Sequence, residues 1–225
     1  MTTATDKPAS NSQRALQELR EMIFSGELAA GSDHLESELA SLLDMSRTPV
    51  REAVLMLESQ GLLELRPRKG VRILPLSPED MAEIYDVLTE LESLAAEHAA
   101  RAGHNDEDLK KLAQTIDDME TAISASDLDG WAEADDRFHK ELVRLGENIR
   151  IIAIVNMMSD QVRRARTVTL FMRPLPTKSN EDHRTVYQAI RDGDADKART
   201  THRRHRQDAK GIIVELLQKH RLRFL

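Results

Sequence analysis

Two groups of side chains in this chain have the types and spacing to do chemistry. The first is cationic and lies in SRTPVREAVLMLESQGLL, residues 46–63. The stretch reads as the start of a helix, with Ser46 or Thr48 as its cap. Pro49 falls in the first turn, where its missing N–H costs nothing. Arg47 and Arg51 share that turn, although a cation there opposes the helix dipole by about 0.3 to 1 kcal/mol. A partner that supplies negative charge resolves the conflict. Four residues apart, the two arginines share a helical face. Arginine bonds guanine O6 and N7 in bidentate fashion, at roughly 1 to 3 kcal/mol of discrimination per pair. The hydroxyls of Ser46 and Thr48, with the free N–H groups of the tip, suit phosphates.

The second group lies on apolar faces. In DLDGWAEADDRFHKELVRLG, residues 127–146, the stripe is Trp131, Phe138, Leu142 and Leu145, and Asp135 and His139 fall on it. An inward carboxylate is expensive unless it is paired, protonated or bound to a metal. His183 shares a face with Val186, Tyr187 and Ile190, and His205 shares one with Ala198, His202, Ala209 and Ile212. Three helices thus each turn a potential ligand inward. Asp and His at i, i+4 can reach one ion, and nitrogen and oxygen donors without sulfur suit Zn²⁺, Ni²⁺, Mn²⁺ or Fe²⁺. No Glu or Asp is evidently paired with this set as a general base.

The elements that must position these groups follow from periodicity. Three short helical patterns fill residues 12–61. The first places Leu16, Leu19, Ile23 and Phe24 on one face and stops at Gly26. The second runs from near Glu36 to Asp44 and Met45. The third is the arginine-tipped stretch, with Val50, Ala53, Val54 and Leu57 buried and Gly61 as its stop. In LLELRPRKGVRIL two β-prone runs flank a turn, Pro67 to Gly70, that needs φ > 0 at the glycine. Three helices followed by a hairpin tipped with Arg68 and Lys69 is the order of a winged helix-turn-helix. Such a tip would reach a nucleic-acid backbone or minor groove, while the second helix of the helix-turn-helix enters the major groove.

Beyond a linker at 75–78 the chain reads as all-helical, with elements near 79–102, 105–124, 127–146, 149–170, 180–192 and 195–220. Each carries a stripe at 3.6-residue spacing, such as Ile84, Leu88, Leu91 and Ala95. The expected architecture is mostly α: a disordered tail at 1–11, a winged helix-turn-helix at 12–74 with a small β-hairpin wing, and a C-terminal bundle of about six helices at 79–225.

Bulk properties narrow the function classes. The 225 residues are 40% hydrophobic and 32% charged, as in a globular protein. Zero cysteines exclude a disulfide scaffold, a thiolate zinc site and a cysteine nucleophile. The longest apolar run, IIAIV at 151–155, is far too short for a membrane span. The polar N-terminus lacks the apolar segment of a signal peptide, so cytoplasmic residence is expected. The net charge of -7 argues against nucleic-acid binding only when averaged. From Arg47 to Arg72 six basic residues face three acids, a local +3.

SRTPVREAVLMLESQGLLELRPRKGVRI, with SGELAAGSDHLESELASLL upstream, resembles the core signature of GntR-type transcriptional regulators over about Leu16 to Ile73. The resemblance implies that Ser46, Arg47, Thr48 and Arg51 contact DNA, with Arg68, Lys69 and Gly70 in a wing that approaches its backbone. Two departures stand out. Asp44 occupies a turn position usually held by Gly, which predicts a left-handed conformation at some cost. Ser37 lies where some relatives carry a DNA-contacting arginine.

The C-terminal half, through DRFHKEL and DHRTVYQAIRDGDADKARTTHRRH, is similar to the FCD branch of FadR-like regulators. In metal-binding members an Asp-x-x-x-His pair is joined by two histidines 22 positions apart. That pattern implies Asp135, His139, His183 and His205 as ligands of a divalent ion, zinc first, and leaves His202 beside them. Six helices rather than seven point to the VanR-like subgroup. The resemblance further implies a small effector, commonly a carboxylate, held by the metal. The first bundle helix often offers it an arginine; here Leu88 or Thr89 falls there, so Thr89 or Arg150, Arg163 or Arg164 of the fourth helix would serve, with His202 nearby. Met157, Met158 and Phe171 would form an apolar wall.

The function expected is a metabolite-responsive regulator, a repressor rather than an enzyme, that binds a double-stranded inverted-repeat operator as a homodimer. The alternatives are a metal-dependent enzyme with an appended DNA-binding domain and an effector-independent architectural DNA binder.

Overall fold

The computed structural model describes residues 10–220. The chain divides into two compact units, one ending at Pro75 and one beginning at Leu76.

The first unit holds α1 (Asn11–Ser25), β1 (Asp33–His34), α2 (Glu36–Leu42), α3 (Arg47–Ser59), β2 (Leu63–Arg66) and β3 (Gly70–Ile73). Ser10 and Gln13 form a capping box at the start of α1, so that helix begins inside the expected tail; residues 1–9 lie outside those described. Ala15, Leu19 and Ile23 of α1 meet Val50, Ala53, Val54 and Leu57 of α3 in one core. Leu16 and Phe24 pack only partly against it. The α2–α3 turn places Asp44 at φ 50°, the left-handed conformation expected.

The wing holds three strands rather than two. β3 is central, flanked by β2 and by β1, all antiparallel. Two residues are too few to leave a period-2 pattern in sequence, so β1 was illegible there. Its presence explains Gly70, at φ 85°. A Cβ at that position would sit 2.3 Å from the His34 carbonyl oxygen, so any side chain would push β1 away.

The second unit holds α4 (Pro78–Ala102), α5 (Asp106–Ser124), α6 (Leu128–Leu145), α7 (Ile149–Thr169), a 3₁₀ turn (Leu170–Met172), α8 (Thr177–Arg191) and α9 (Ala195–Lys219). The expected linker is mostly bundle. Leu76 is buried in the bundle core, the Ser77 hydroxyl accepts from the Asp80 N–H as a cap, and Pro78 opens α4. The eighth helix starts at Thr177, three residues before the expected start, because Pro176 can precede a helix as readily as break one. One apolar cluster gathers Trp131, Ala134, Phe138 and Leu142 of α6 with α5 and α8; another gathers Ile84, Leu88, Ala95, Val155, Val162 and Ile213 from α4, α7 and α9. Among the described residues no helix is long and apolar enough to cross a membrane.

Candidate functional site

In the first unit, Ser46 stands at the N-cap of α3 with extended backbone, φ -70° and ψ 160°, but its hydroxyl makes no capping hydrogen bond. Thr48 lies within the first turn instead of capping it, and that turn contains no acid. Ser46, Arg47, Thr48 and Arg51 are all exposed. The helix therefore presents unsatisfied N–H groups, two free hydroxyls and two cations at one end, the arrangement that attracts an anion.

The six basic residues between Arg47 and Arg72 separate into two classes. Arg66 and Arg72 are both neutralised by Asp33, at 3.3 and 3.2 Å, and Arg66 also by Glu64 at 3.2 Å. Arg47, Arg51, Arg68 and Lys69 are exposed. The turn at the wing tip is closed by the Lys69 N–H to the Arg66 carbonyl, 2.9 Å. Arg68 takes φ 65° there, a left-handed conformation that was expected only at Gly70.

In the second unit, Asp135 and His139 of α6, His183 of α8 and His205 of α9 come together. One ligand atom from each lies within 4.8 Å of all the others, and all four residues are buried. His183 Nε2 is 3.2 Å from His205 Nε2 and 3.5 Å from Asp135 Oδ1; His139 Nε2 is 3.7 Å from the same oxygen. Donors about 2.1 Å from a tetrahedral ion stand roughly 3.4 Å from one another. The four therefore have the spacing of a coordination shell.

Their protonation states also fit. Burial pushes His183 down to about 3, and burial likewise holds His202 and His205 well below the usual histidine value. These imidazoles are neutral near pH 7, with a lone pair free. Burial alone would raise Asp135, but Arg166 first and His139 next hold its carboxyl well below the usual range. It is a carboxylate. His183 Nδ1 is buried without a hydrogen-bond partner among the described residues, so this cluster is not fully satisfied by the protein alone.

Several sequence expectations need correction. Arg150 is exposed at the first turn of α7. It lies 16 residues, or about 24 Å of helix rise, from Arg166, the α7 residue that does reach the cluster. Arg166 Nη1 is 2.5 Å from Asp135 Oδ2 and its Nη2 is 3.3 Å from His139 Nε2. Thr89 is buried but lines none of the cavities touching the cluster; its neighbour Leu88 does, with Glu92. Met157 and Phe171 are exposed, and Met158 lines none of these cavities. Arg164 is buried and also absent from their walls.

Three cavities meet the cluster: a small one of about 30 Å³ reaches His139 beside Leu88, Glu92 and Arg206, and two larger ones reach other ligands. One of about 450 Å³ reaches Asp135 and is walled by Arg163, Arg166, Arg173 and Trp131. Another, of about 230 Å³, has His205 in its wall and is lined by Leu170, Pro174, Pro176 and Ile212. The apolar wall is thus supplied by α6, the loop before α8, and α9.

Glu92 was missed. The sequence shows no carboxylate beside the histidines, yet Glu92 is buried with Oε2 3.0 Å from His139 Nδ1 and 3.5 Å from His202 Nε2. A signal existed, because Glu92 falls in phase with Ile84, Leu88 and Ala95 on the buried stripe of α4. His202 has Nδ1 at Ser93 and Nε2 3.4 Å from His139 Nδ1 and 3.5 Å from Glu92 Oε2, which places it against the four-donor group without being one of the four.

Comparison with known proteins identifies both units of the chain. Residues 11–73 match the gntR family of bacterial regulatory proteins, and residues 83–208 match the FCD domain. An HTH-type transcriptional regulator from the TAR-I ttuE-ttuC' intergenic region of Agrobacterium vitis is 40% identical over 131 residues, 57% of this chain and 77% of that one. The gluconate operon transcriptional repressor of Bacillus licheniformis is 29% identical over 215 residues, 92% of this chain and 87% of its own. The solved structure of E. coli McbR/YncC superposes with a TM-score of 0.76 at 19% identity, covering 92% of this chain and 99% of that one, which shows the shared fold. These relatives are transcriptional regulators rather than enzymes. The chain belongs to the GntR family of bacterial regulatory proteins, as a transcriptional regulator whose helical domain is of the FCD type.

Proposed function

We propose that this chain is a metabolite-responsive repressor in which a divalent ion, zinc first, sits between Asp135, His139, His183 and His205 and holds a small organic acid. The observation that carries the reading is the mutual spacing of four buried donors from three helices. The bound ion would supply a Lewis-acidic centre that takes the acid by expanding its coordination beyond the four protein donors. Arg166, and Arg163 at the wall of the same cavity, would neutralise the acid. Similarity to the repressor of a gluconate operon agrees with an acidic effector.

Residues 12–74 would bind the operator. Arg47 and Arg51 read base edges, Ser46 and Thr48 hold phosphates, and Arg68, Lys69 and Gly70 bring the wing to the DNA backbone. An inverted-repeat operator requires two-fold symmetry, so the working form is a cytoplasmic homodimer built on residues 79–225. Effector and operator are linked reciprocally: an acid that releases DNA must itself bind the DNA complex less tightly.

The test joins metal analysis of the purified protein to a thermal-shift screen of zinc-loaded and metal-free protein against short-chain and sugar carboxylates. One ion per chain and carboxylate shifts only in the loaded protein are expected. Absence of stoichiometric metal, or equal shifts without it, would overturn the reading.

A further inference from the structure

The cavity of about 230 Å³ is built mostly from residues that a metal site does not need. Leu128, Trp131, Leu170, Pro174, Pro176 and Ile212 make its wall largely apolar. The indole of Trp131 is fixed in that wall, because its Nε1 donates to Asn180 Oδ1 at 2.8 Å. An apolar cavity of about 150 Å³ is enough to hold a benzene ring. This one has room for a ring and a short substituent.

Charge decides what the substituent is. Asp182 and Asp208 lie in the wall, and cations already answer both. Lys178 Nζ is 2.8 Å from Asp182 Oδ2 and 3.2 Å from Asp208 Oδ2, while Arg204 Nη2 is 3.0 Å from Asp182 Oδ1. Arg173 differs. It is half-buried, and among the described residues it forms no ion pair. Its Nη2 donates to the Arg166 carbonyl at 2.5 Å and its Nε to the Thr169 carbonyl at 3.4 Å, both in the last turn of α7. Basic residues commonly bond the last carbonyls of a helix, so these contacts fix the side chain. Neutral carbonyls do not match its charge, however. Burial and the nearby Arg166 charge both work against the Arg173 cation, and an anion beside it would offset both.

We infer that this cavity is a second small-molecule site, for an aromatic monocarboxylate of one ring. The ring lies among Trp131, Leu170, Pro176 and Ile212, and the carboxylate meets Arg173. His205 borders the cavity, but the apolar lining and the unpaired guanidinium stand without the metal reading.

Phenylacetate and phenylacetamide share a shape and differ in charge. Each is titrated calorimetrically into zinc-free, full-length protein. Trp131 is the single tryptophan of the chain, so its fluorescence also reports occupancy. Phenylacetate should bind about 10- to 100-fold more tightly than the amide, the worth of hydrogen bonds between charged partners. Arg173→Met should cancel that difference by weakening the acid alone, and Arg173→Lys should restore part of it. Ala209→Phe fills this cavity from α9 and borders neither of the other two, so it should block both ligands. Melting temperatures establish that each variant folds. Phenylacetate should still bind His183→Ala, in which the metal ligand set is broken. No binding of phenylacetate, equal affinity for acid and amide, undiminished binding in a folded Ala209→Phe variant, or binding only with zinc would overturn the inference. Phenylacetate binding in a chain that takes up no zinc would uphold this site and refute the metal reading instead.

Discussion

Arg166, partly exposed, pairs with the buried Asp135 across α7 and α6, with Nη1 2.5 Å from Oδ2, while the other carboxylate oxygen faces His139 and His183. A cation bound by the histidines would neutralise Asp135 from the opposite edge. Loss of Arg166 should then matter less once metal is present. Arg166→Met is expected to destabilise the metal-free protein by about 3 to 5 kcal/mol, as for breaking a buried pair. Zinc should recover most of that. Thermal denaturation with and without zinc checks it; an equal loss in both forms would refute the shared role of Asp135.

His183 is central to the cluster and fully buried. His183→Ala should lower zinc content and thermal stability together, and remove the stabilisation that added zinc gives the wild type. Unchanged stoichiometry by metal analysis would rule out the assigned ligand set.

Acid should unfold the bundle. The folded-state values of His183, His202 and His205 are depressed by burial, with His183 at about 3. Below the ordinary histidine value near 6.5 the unfolded chain binds protons that the folded chain refuses. Stability is therefore present in full above that pH and falls as pH drops toward the folded values, by up to about 1.4 kcal/mol per pH unit for each histidine. Asp135 and Glu92 act in the same direction at lower pH. Melting temperatures across pH 7 to 5 measure the slope; a flat profile would contradict the burial of neutral imidazoles.

Arg47→Ala and Arg51→Ala should each abolish preference for the operator over scrambled duplex while leaving the melting temperature unchanged, since both side chains are exposed. The expected loss is roughly 1 to 3 kcal/mol of discrimination each. Fluorescence anisotropy with the two duplexes decides, and a retained preference would displace the groove assignment.

Lys69→Ala, at the wing tip, should weaken binding to all duplexes about equally and reduce the slope of log affinity against log salt by about one. A sequence-dependent loss would mean that the wing reads bases.

Much of this architecture is written locally. Apolar periodicity located all the helices of the described chain, with ends displaced by a few residues, because burial of one face is a property of spacing alone. The same logic placed Asp135, His139, His183 and His205 on inward faces before any contact was known. The left-handed Asp44 followed from its place in a turn between two helices.

What lay beyond reach depended on partners distant in sequence. β1 is two residues long and exists because β3 lies beside it, 37 residues later at the His34–Val71 pair. Arg66 and Arg72 add to the local positive charge in the sequence, but in the fold Asp33 neutralises both. Periodicity puts Glu92 on the buried stripe of α4 and Arg166 on α7; which imidazole or carboxylate each faces depends on how α4, α6, α7 and α9 pack. Helical phase tells a residue which way to point, and only tertiary packing decides what stands there to receive it.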